Sequence, residues 1–279
     1  MQAAGVAVEE HTHQPHDALT ILAIAVLAYV GATLAHEAIG HGLACGLAGG
    51  ELVGYSSSWA ECDKAGIGIA GRRFIEAAGT LVNLAVGFGA LLAVRLRKVQ
   101  GAQVHCFLWL TAAVHLFMGS GYLMVDPLFG FGDWTDFLEG LEPRLAWRLG
   151  TSAVGVALYL ATFFALRGPL DRMLGGTERA RKRQARLLCW LPYLGVGGVI
   201  LTGAAALNVY GLKFTFTSAL ATLGGTAMLF WLPLAIDRPE SEPTPPAYEI
   251  QRSLPWIGAG SVALLFLFAA FGPGIRLGG

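Results

Sequence analysis

Long apolar segments constrain this chain more than any other feature of its sequence. A helix needs roughly 20 consecutive apolar residues to cross the hydrocarbon core of a bilayer. Segments of about this length recur along the whole chain, and few of their residues are charged. We predict seven membrane spans, with approximate bounds 18–47, 74–94, 104–125, 146–166, 187–210, 214–236 and 254–271.

The composition agrees with a membrane protein. Of the 279 residues, 54% are hydrophobic and 14% are charged, whereas about 25% are charged in a typical soluble domain. The formal net charge is zero, so nothing indicates a nucleic-acid partner. We predict an all-α polytopic transmembrane bundle with a disordered cytoplasmic tail (1–17), a metalloprotease-like core (18–140) and further transmembrane helices of unknown role (141–279). The histidines of the tail, among them His16, are predicted to be solvated.

Basic residues in the loops predict the orientation in the membrane. Cytoplasmic loops of membrane proteins carry an excess of Lys and Arg. In a chain with seven spans, the loops after spans two, four and six lie on one side, and they hold most of the bases, including Arg95 and the cluster in 179–186. The opposite loops hold many acids. We therefore predict a bacterial inner-membrane protein with a cytoplasmic N-terminus.

The four cysteines fall into two pairs. Cys45 and Cys62 are predicted near the outer face, and Cys106 and Cys189 near the inner face. An oxidising periplasm would allow a disulfide between Cys45 and Cys62. The alternative is that each cysteine is a small buried apolar side chain.

One segment of the first span, LAHEAIGHG (34–42), carries ionisable side chains. Such residues are costly inside a membrane and commonly mark a site. Many zinc hydrolases have His-Glu-x-x-His on a helix, where the two histidines bind zinc and the glutamate is the general base. This pattern predicts zinc as the cofactor, His36 and His41 as ligands, and Glu37 as the catalytic base.

The spacing of the two histidines departs from that pattern by one residue. His36 and His41 are five apart, so on a regular α-helix they would point about 140° apart. A π-bulge, which is common at functional sites, would bring both imidazoles to one metal ion. Alternatively, Glu37 and His41 bind the metal, and His36 is the base or an outer partner. We favour the first arrangement, and Gly40 would ease the distortion.

A third ligand is expected from GYLMVDPLFGFGDW (121–134), which follows the third span. The orientation, deduced from Lys and Arg alone, places these acids on the same side as the histidines. Asp133 is the first candidate and Asp126 the second. Either carboxylate would complete a His/His/Asp site with one position open for water. The alternative is that both are ordinary interfacial acids.

Two further polar residues lie within predicted spans. Asn83 either contacts the substrate, by holding its backbone or by donating to a developing oxyanion, or it joins two helices by a hydrogen bond. His115, in the middle of the third span, is either a packing residue or a second substrate-binding group.

The His-Glu box, the segment AGTLVNL (78–84) and the late aspartate resemble the site-2 protease family of intramembrane zinc metalloproteases. The resemblance covers roughly residues 30–135. It implies a site-2-protease-like core in the first three spans, with a His-Glu box on the first helix, an asparagine on the second and an aspartate ligand later. Two departures are the extra residue in the box and Thr80, which stands where the family usually has Pro.

From these residues we expect a zinc-dependent intramembrane protease that hydrolyses peptide bonds of membrane-embedded protein substrates. Its partners would be the lipid bilayer and a membrane protein substrate. Two other classes agree with the same residues. One is a membrane metalloprotein without proteolytic activity, and the other is a transporter-like protein whose buried His and Glu form a proton or ion path.

Overall fold

The structure, a computed structural model, describes residues 16–96, 101–207, 215–216, 219–236 and 248–277. These residues are mainly helical, and six of the helices are long and apolar enough to cross a membrane. In chain order, the helices are α1 (Ala18–Leu47), α2 (Ile69–Arg95), α3 (Ala102–Phe129), α4 (Asp133–Phe137), α5 (Arg144–Asp171), α6 (Glu178–Ala205), α7 (Leu220–Ala235) and α8 (Leu254–Phe271).

The expected all-α helical bundle with membrane-spanning helices is confirmed, whereas the number of seven spans stays a prediction. Helix α7, which corresponds to the sixth predicted span, is shorter than the other spans, and residues 208–214 beside it lie outside the described part of the chain. The predicted tail also lies outside it as far as residue 15. His16 is buried instead of solvated, and its Nε2 lies 2.9 Å from the carbonyl oxygen of Met173.

Helix α3 is the centre of the bundle. Its side chains Trp109, Leu110 and Phe117 are fully buried, and it packs against α1, α2 and α5. The indole N–H of Trp109 donates to the carbonyl oxygen of Leu166 on α5 at 3.1 Å. A bilayer core offers no water to a buried polar group, so this bond satisfies the indole N–H and fixes α3 against α5.

A small antiparallel sheet lies beyond the end of α1. It consists of β1 (Glu51–Tyr55), β2 (Ala60–Asp63) and β3 (Ile275–Arg276), with β1 in the centre. A disulfide joins Cys45 at the end of α1 to Cys62 on β2, which is one of the two alternatives that the sequence leaves open. Cys106 and Cys189 are buried and free. The disulfide therefore ties the hairpin of β1 and β2 to the helix that carries the His-Glu box.

Candidate metal centre

The His-Glu box is wound as a π-helix. Residues Ala35–Gly42 form it, and α1 continues as an α-helix on both sides. In a π-helix, residue i bonds to residue i+5, so side chains five apart approach one face. Nε2 of His36 lies 3.2 Å from Nε2 of His41. Of the two arrangements that the sequence leaves open, the structure contains the one in which both imidazoles face a common point.

Two glycines bring α1 and α2 together at this point. A Cβ atom on Gly40 would lie 2.5 Å from Cα of Gly79, which is closer than any real packing contact. A Cβ atom on Gly79 would lie 2.6 Å from Nε2 of His41 and 2.7 Å from Nε2 of His36. Because glycine has no Cβ, the backbone of α2 forms the floor beneath both imidazoles.

Asp133, the first residue of α4, reaches the same point. Its Oδ2 lies 3.1 Å from Nε2 of His36 and 3.1 Å from Nε2 of His41. Ligand atoms at about 2.0–2.1 Å from a tetrahedral zinc ion are about 3.3 Å from one another. The triangle of two nitrogens and one oxygen therefore matches three corners of such a site, and the group could hold a metal ion.

A hydrogen bond on the far side of the His41 ring shows which of its two nitrogens carries the proton. Nδ1 of His41 lies 2.8 Å from the carbonyl oxygen of Ile75. A carbonyl oxygen only accepts, so Nδ1 carries the proton, and Nε2 of the neutral ring has a free lone pair. This lone pair and the Asp133 carboxylate are both acceptors aimed at one point. A cation satisfies such a convergence, and the hydrogen bond to Ile75 is typical of a metal-binding histidine.

Asp133 is kept ionised and held in place by its surroundings. Burial would raise the pKa of Asp133, but the positive charge that the adjacent imidazoles of His41 and His36 carry when they are protonated holds that pKa well below its usual range. The neighbouring Trp134 donates its indole N–H to Oγ1 of Thr80 on α2 at 3.0 Å. The short helix α4 is thus anchored directly beside the carboxylate that it presents.

Asp126, the second predicted aspartate, is not part of the candidate metal-binding group. It is buried near the end of α3, and its Oδ2 accepts a hydrogen bond of 3.4 Å from the backbone N–H of Trp134. Thr135 donates its hydroxyl to the carbonyl oxygen of Asp126 at 2.7 Å. The structure therefore separates the two acids: Asp133 faces the histidines, and Asp126 joins α3 to the start of α4.

A cavity of about 440 Å³ adjoins the three ligand atoms. Glu37 lines this cavity and is itself only 7% exposed, so its carboxylate has little contact with bulk water. Polar lining residues come from the hairpin, from the residue that follows it and from the start of α2, and apolar ones come from α3 and α7: Ser57, Ser58, Lys64, Glu76, Met118, Val125 and Leu220. A cavity of this size and mixed lining suits part of a peptide or a small ligand.

Neither of the two predicted substrate-binding residues lines the cavity. Asn83 is fully buried, and its Nδ2 lies 3.4 Å from Nδ1 of His36. His115 is buried within α3, and its Nδ1 has no hydrogen-bond partner among the residues that the structure describes. Asn83 thus lies on the side of His36 that faces away from Asp133.

Three contributors to the site were not predicted from the sequence. Tyr122 stacks on the His36 ring, with centroids 4.5 Å apart and 17° between the planes. The others are the carbonyl oxygen of Ile75 and the hydroxyl of Thr80. Tyr122 lies in the stretch from which the third ligand was expected, so its place in the sequence could have suggested that it contacts the site. A backbone carbonyl has no sequence signal.

No model of a protein family matches this chain, and no curated protein or solved structure matches it either. The resemblance to site-2 proteases therefore stays a prediction from the motifs of residues 30–135. The geometry of the metal centre and its cavity carries the functional argument.

Proposed function

We propose that this chain is a zinc-dependent intramembrane protease, which hydrolyses peptide bonds of membrane-embedded substrates. One observation carries the proposal. Two imidazole nitrogens and one carboxylate oxygen converge within 3.1–3.2 Å at the end of a membrane-spanning helix, beside a cavity that Glu37 lines. Three protein ligands and a nearby glutamate are the set that zinc peptidases use.

The residues divide the chemistry between them. His36, His41 and Asp133 would hold the metal ion, which when bound polarises a scissile carbonyl and lowers the pKa of a water molecule to about 7. Glu37 takes the proton of the attacking water and passes it to the leaving amine nitrogen. Because Glu37 is buried, its carboxylate is poorly hydrated and free to act as a base inside the cavity.

The proposed setting is the inner membrane of a bacterium, with the N-terminus in the cytoplasm and the metal centre near the outer face. Two observations support this orientation. The bases cluster in loops that would lie on the cytoplasmic side. The disulfide between Cys45 and Cys62 lies at the same end of α1 as the metal centre, and disulfides persist in oxidising compartments.

Zinc content and peptide cleavage of the purified protein in lipid nanodiscs test the proposal. The wild type should hold about one zinc ion per chain, and it should cleave single-span peptides reconstituted with it, with products identified by mass spectrometry. Glu37→Gln should keep the zinc and lose about 100-fold or more of the cleavage rate, since general-base catalysis contributes about 10²–10⁴. Glu51→Gln, the same change on an exposed strand residue, should alter neither.

Each other result points to a different class of protein. No zinc in the wild type would favour the transporter-like alternative and overturn the proposal. Loss of zinc in Glu37→Gln would make Glu37 a ligand instead of the base. Zinc without Glu37-dependent cleavage of any peptide would leave a membrane metalloprotein that is not a protease.

A further inference from the structure

Asn83, directly behind the candidate metal centre, has a buried polar atom without a hydrogen-bond partner. The residue is 0% exposed, and its amide nitrogen Nδ2 lies 3.4 Å from Nδ1 of His36. Its amide oxygen Oδ1 has no hydrogen-bond partner within the described part of the chain. A buried carbonyl without a partner costs about 1–3 kcal/mol, so this arrangement calls for an explanation.

The tautomer that a metal-binding His36 must adopt supplies that explanation. Its Nε2 faces Asp133 and His41, and a metal ion bound there requires the lone pair of Nε2. In a neutral imidazole the proton then resides on Nδ1, which must donate. The amide nitrogen of Asn83 also donates, so with Nδ2 towards His36 two donors, Nδ1–H and Nδ2–H, would face each other.

A rotation of the Asn83 amide by 180° removes the conflict between the two donors. The oxygen and nitrogen of an asparagine amide are nearly identical in shape, and hydrogen bonding decides which is which. After the exchange, Oδ1 accepts the Nδ1–H bond of His36, and the amide nitrogen takes the position that the oxygen held. The donor that His36 must carry gains an acceptor.

We propose that Asn83 is a positioning residue that fixes the tautomer of His36 by accepting its Nδ1–H bond. It would do for His36 what the carbonyl oxygen of Ile75 does for His41. Each imidazole is then held from behind by an oxygen, with its Nε2 lone pair aimed at the metal. The inference rests on the metal-binding part of the proposed function, and does not require that the substrate be a peptide.

This role differs from the two roles that the sequence suggested. A residue that binds the substrate backbone or an oxyanion would act by donating from Nδ2 into the cavity, but Asn83 does not line the cavity. A residue that only joins two helices would affect stability and not the metal. The acceptor role predicts that zinc affinity depends on the amide oxygen of Asn83 and not on its amide nitrogen.

Two nearly isosteric substitutions separate the oxygen from the nitrogen. Asn83→Asp keeps an acceptor facing His36 and removes the donor, whereas Asn83→Leu removes both. Thr111→Val is the matched control, since Thr111 is also buried and its hydroxyl has no partner in the described ranges. Zinc dissociation constants are measured by competition with a chelator, on full-length protein in nanodiscs, and thermal unfolding confirms that each variant is folded.

Asn83→Leu should weaken zinc binding by about 10–100-fold, which is the usual effect of losing an outer partner of a metal-binding histidine. Asn83→Asp should bind zinc as tightly as the wild type or more tightly, because a carboxylate is also a common partner of such a histidine. Thr111→Val should bind zinc like the wild type.

Three results would overturn the inference. If Asn83→Leu binds zinc like the wild type, Asn83 does not position His36, although the proposed function stands. If Asn83→Asp is as weak as Asn83→Leu while both remain folded, the amide acts as a donor. If the wild type binds no zinc, the inference falls together with the proposed function, and the measurement on the wild type alone distinguishes this case.

Discussion

Gly79 is the residue at which the smallest change should do the most damage to the metal centre. Gly79→Ala adds one methyl group to α2, directly beneath both imidazoles. The added carbon would lie 2.6 Å from Nε2 of His41 and 2.7 Å from Nε2 of His36. These two nitrogens are the atoms that would bind the metal, so the methyl group occupies space that the site needs.

The size of the effect follows from these distances. Ordinary contacts between non-bonded heavy atoms begin at about 3.5 Å, so each ring would have to retreat by roughly 0.8–0.9 Å. Metal–ligand distances tolerate deviations of only about 0.2 Å. We therefore expect Gly79→Ala to weaken zinc binding by about 100-fold or more, at or above the upper end of the effects seen when only an outer partner is lost.

Gly89→Ala on the same helix is the matched control, since a Cβ atom at Gly89 has nothing within 4 Å. Both variants are compared with the wild type by chelator competition for zinc and by thermal unfolding without zinc. Gly89→Ala should bind zinc normally. If Gly79→Ala binds zinc as tightly as Gly89→Ala while folded, the backbone of α2 does not form the floor of the site, and the reasoning is refuted.

Three other predictions concern the supports of the site. Replacing Cys45 and Cys62 by serine should lower the unfolding free energy by about 3 kcal/mol, given a separation of 17 residues, as measured by denaturant titration; an unchanged midpoint would count against the disulfide. Thr80→Val should leave the Trp134 indole N–H unpaired, lower the unfolding free energy by about 1–3 kcal/mol and weaken zinc binding. Thr80→Ser should keep the stability and the zinc affinity of the wild type. Equal zinc affinities of Thr80→Val and the wild type would show that this bond does not hold α4. Chelation should lower the melting temperature, and zinc at about 100 times its Kd should restore about 2.7 kcal/mol of stability; no shift would mean that zinc does not bind the folded chain in preference to the unfolded one.

The membrane-spanning helices were predictable because bilayer thickness sets a fixed length for an apolar run. The span that begins at Ala18 and the one that ends at Phe271 agree with helices of the structure in both bounds. The sheet was not predictable in the same way. Its strands have five, four and two residues, and β3 pairs with a strand more than 200 positions earlier in the chain. Such short segments carry no periodicity long enough to recognise.

The three residues of the candidate metal-binding group could be named from the sequence, but their geometry could not be predicted. Spacing alone allowed His36 to be a ligand or a base, because the choice depends on whether the helix widens locally. That widening is accompanied by contacts that are distant in sequence: Asp133 reaches both rings from α4, and Gly79 admits them from α2. No local pattern in residues 34–42 contains this information.

The choice between the two aspartates depended on where α3 ends. Asp126 remains inside the helix, and Gly130 follows it as the cap, with a positive φ of 72°. The chain then reverses, so Asp133 begins a new helix that faces the histidines. Glycines at 130 and 132 were visible in the sequence, but which of them ended the helix was not. An αL cap at Gly130 is the conformation that glycine adopts most easily.

The wide turn at residues 35–42 makes the interval between two metal ligands an unreliable measure of where they point. A spacing of five residues on this π-helical turn brings the imidazoles together, as a spacing of four residues does on an α-helix. The α-helix continues on both sides of the turn. Ile39 within the turn is 52% exposed, so one side of the widened turn faces away from the bundle. The extra residue between the two histidines is, in this protein, compatible with two imidazoles that face one point.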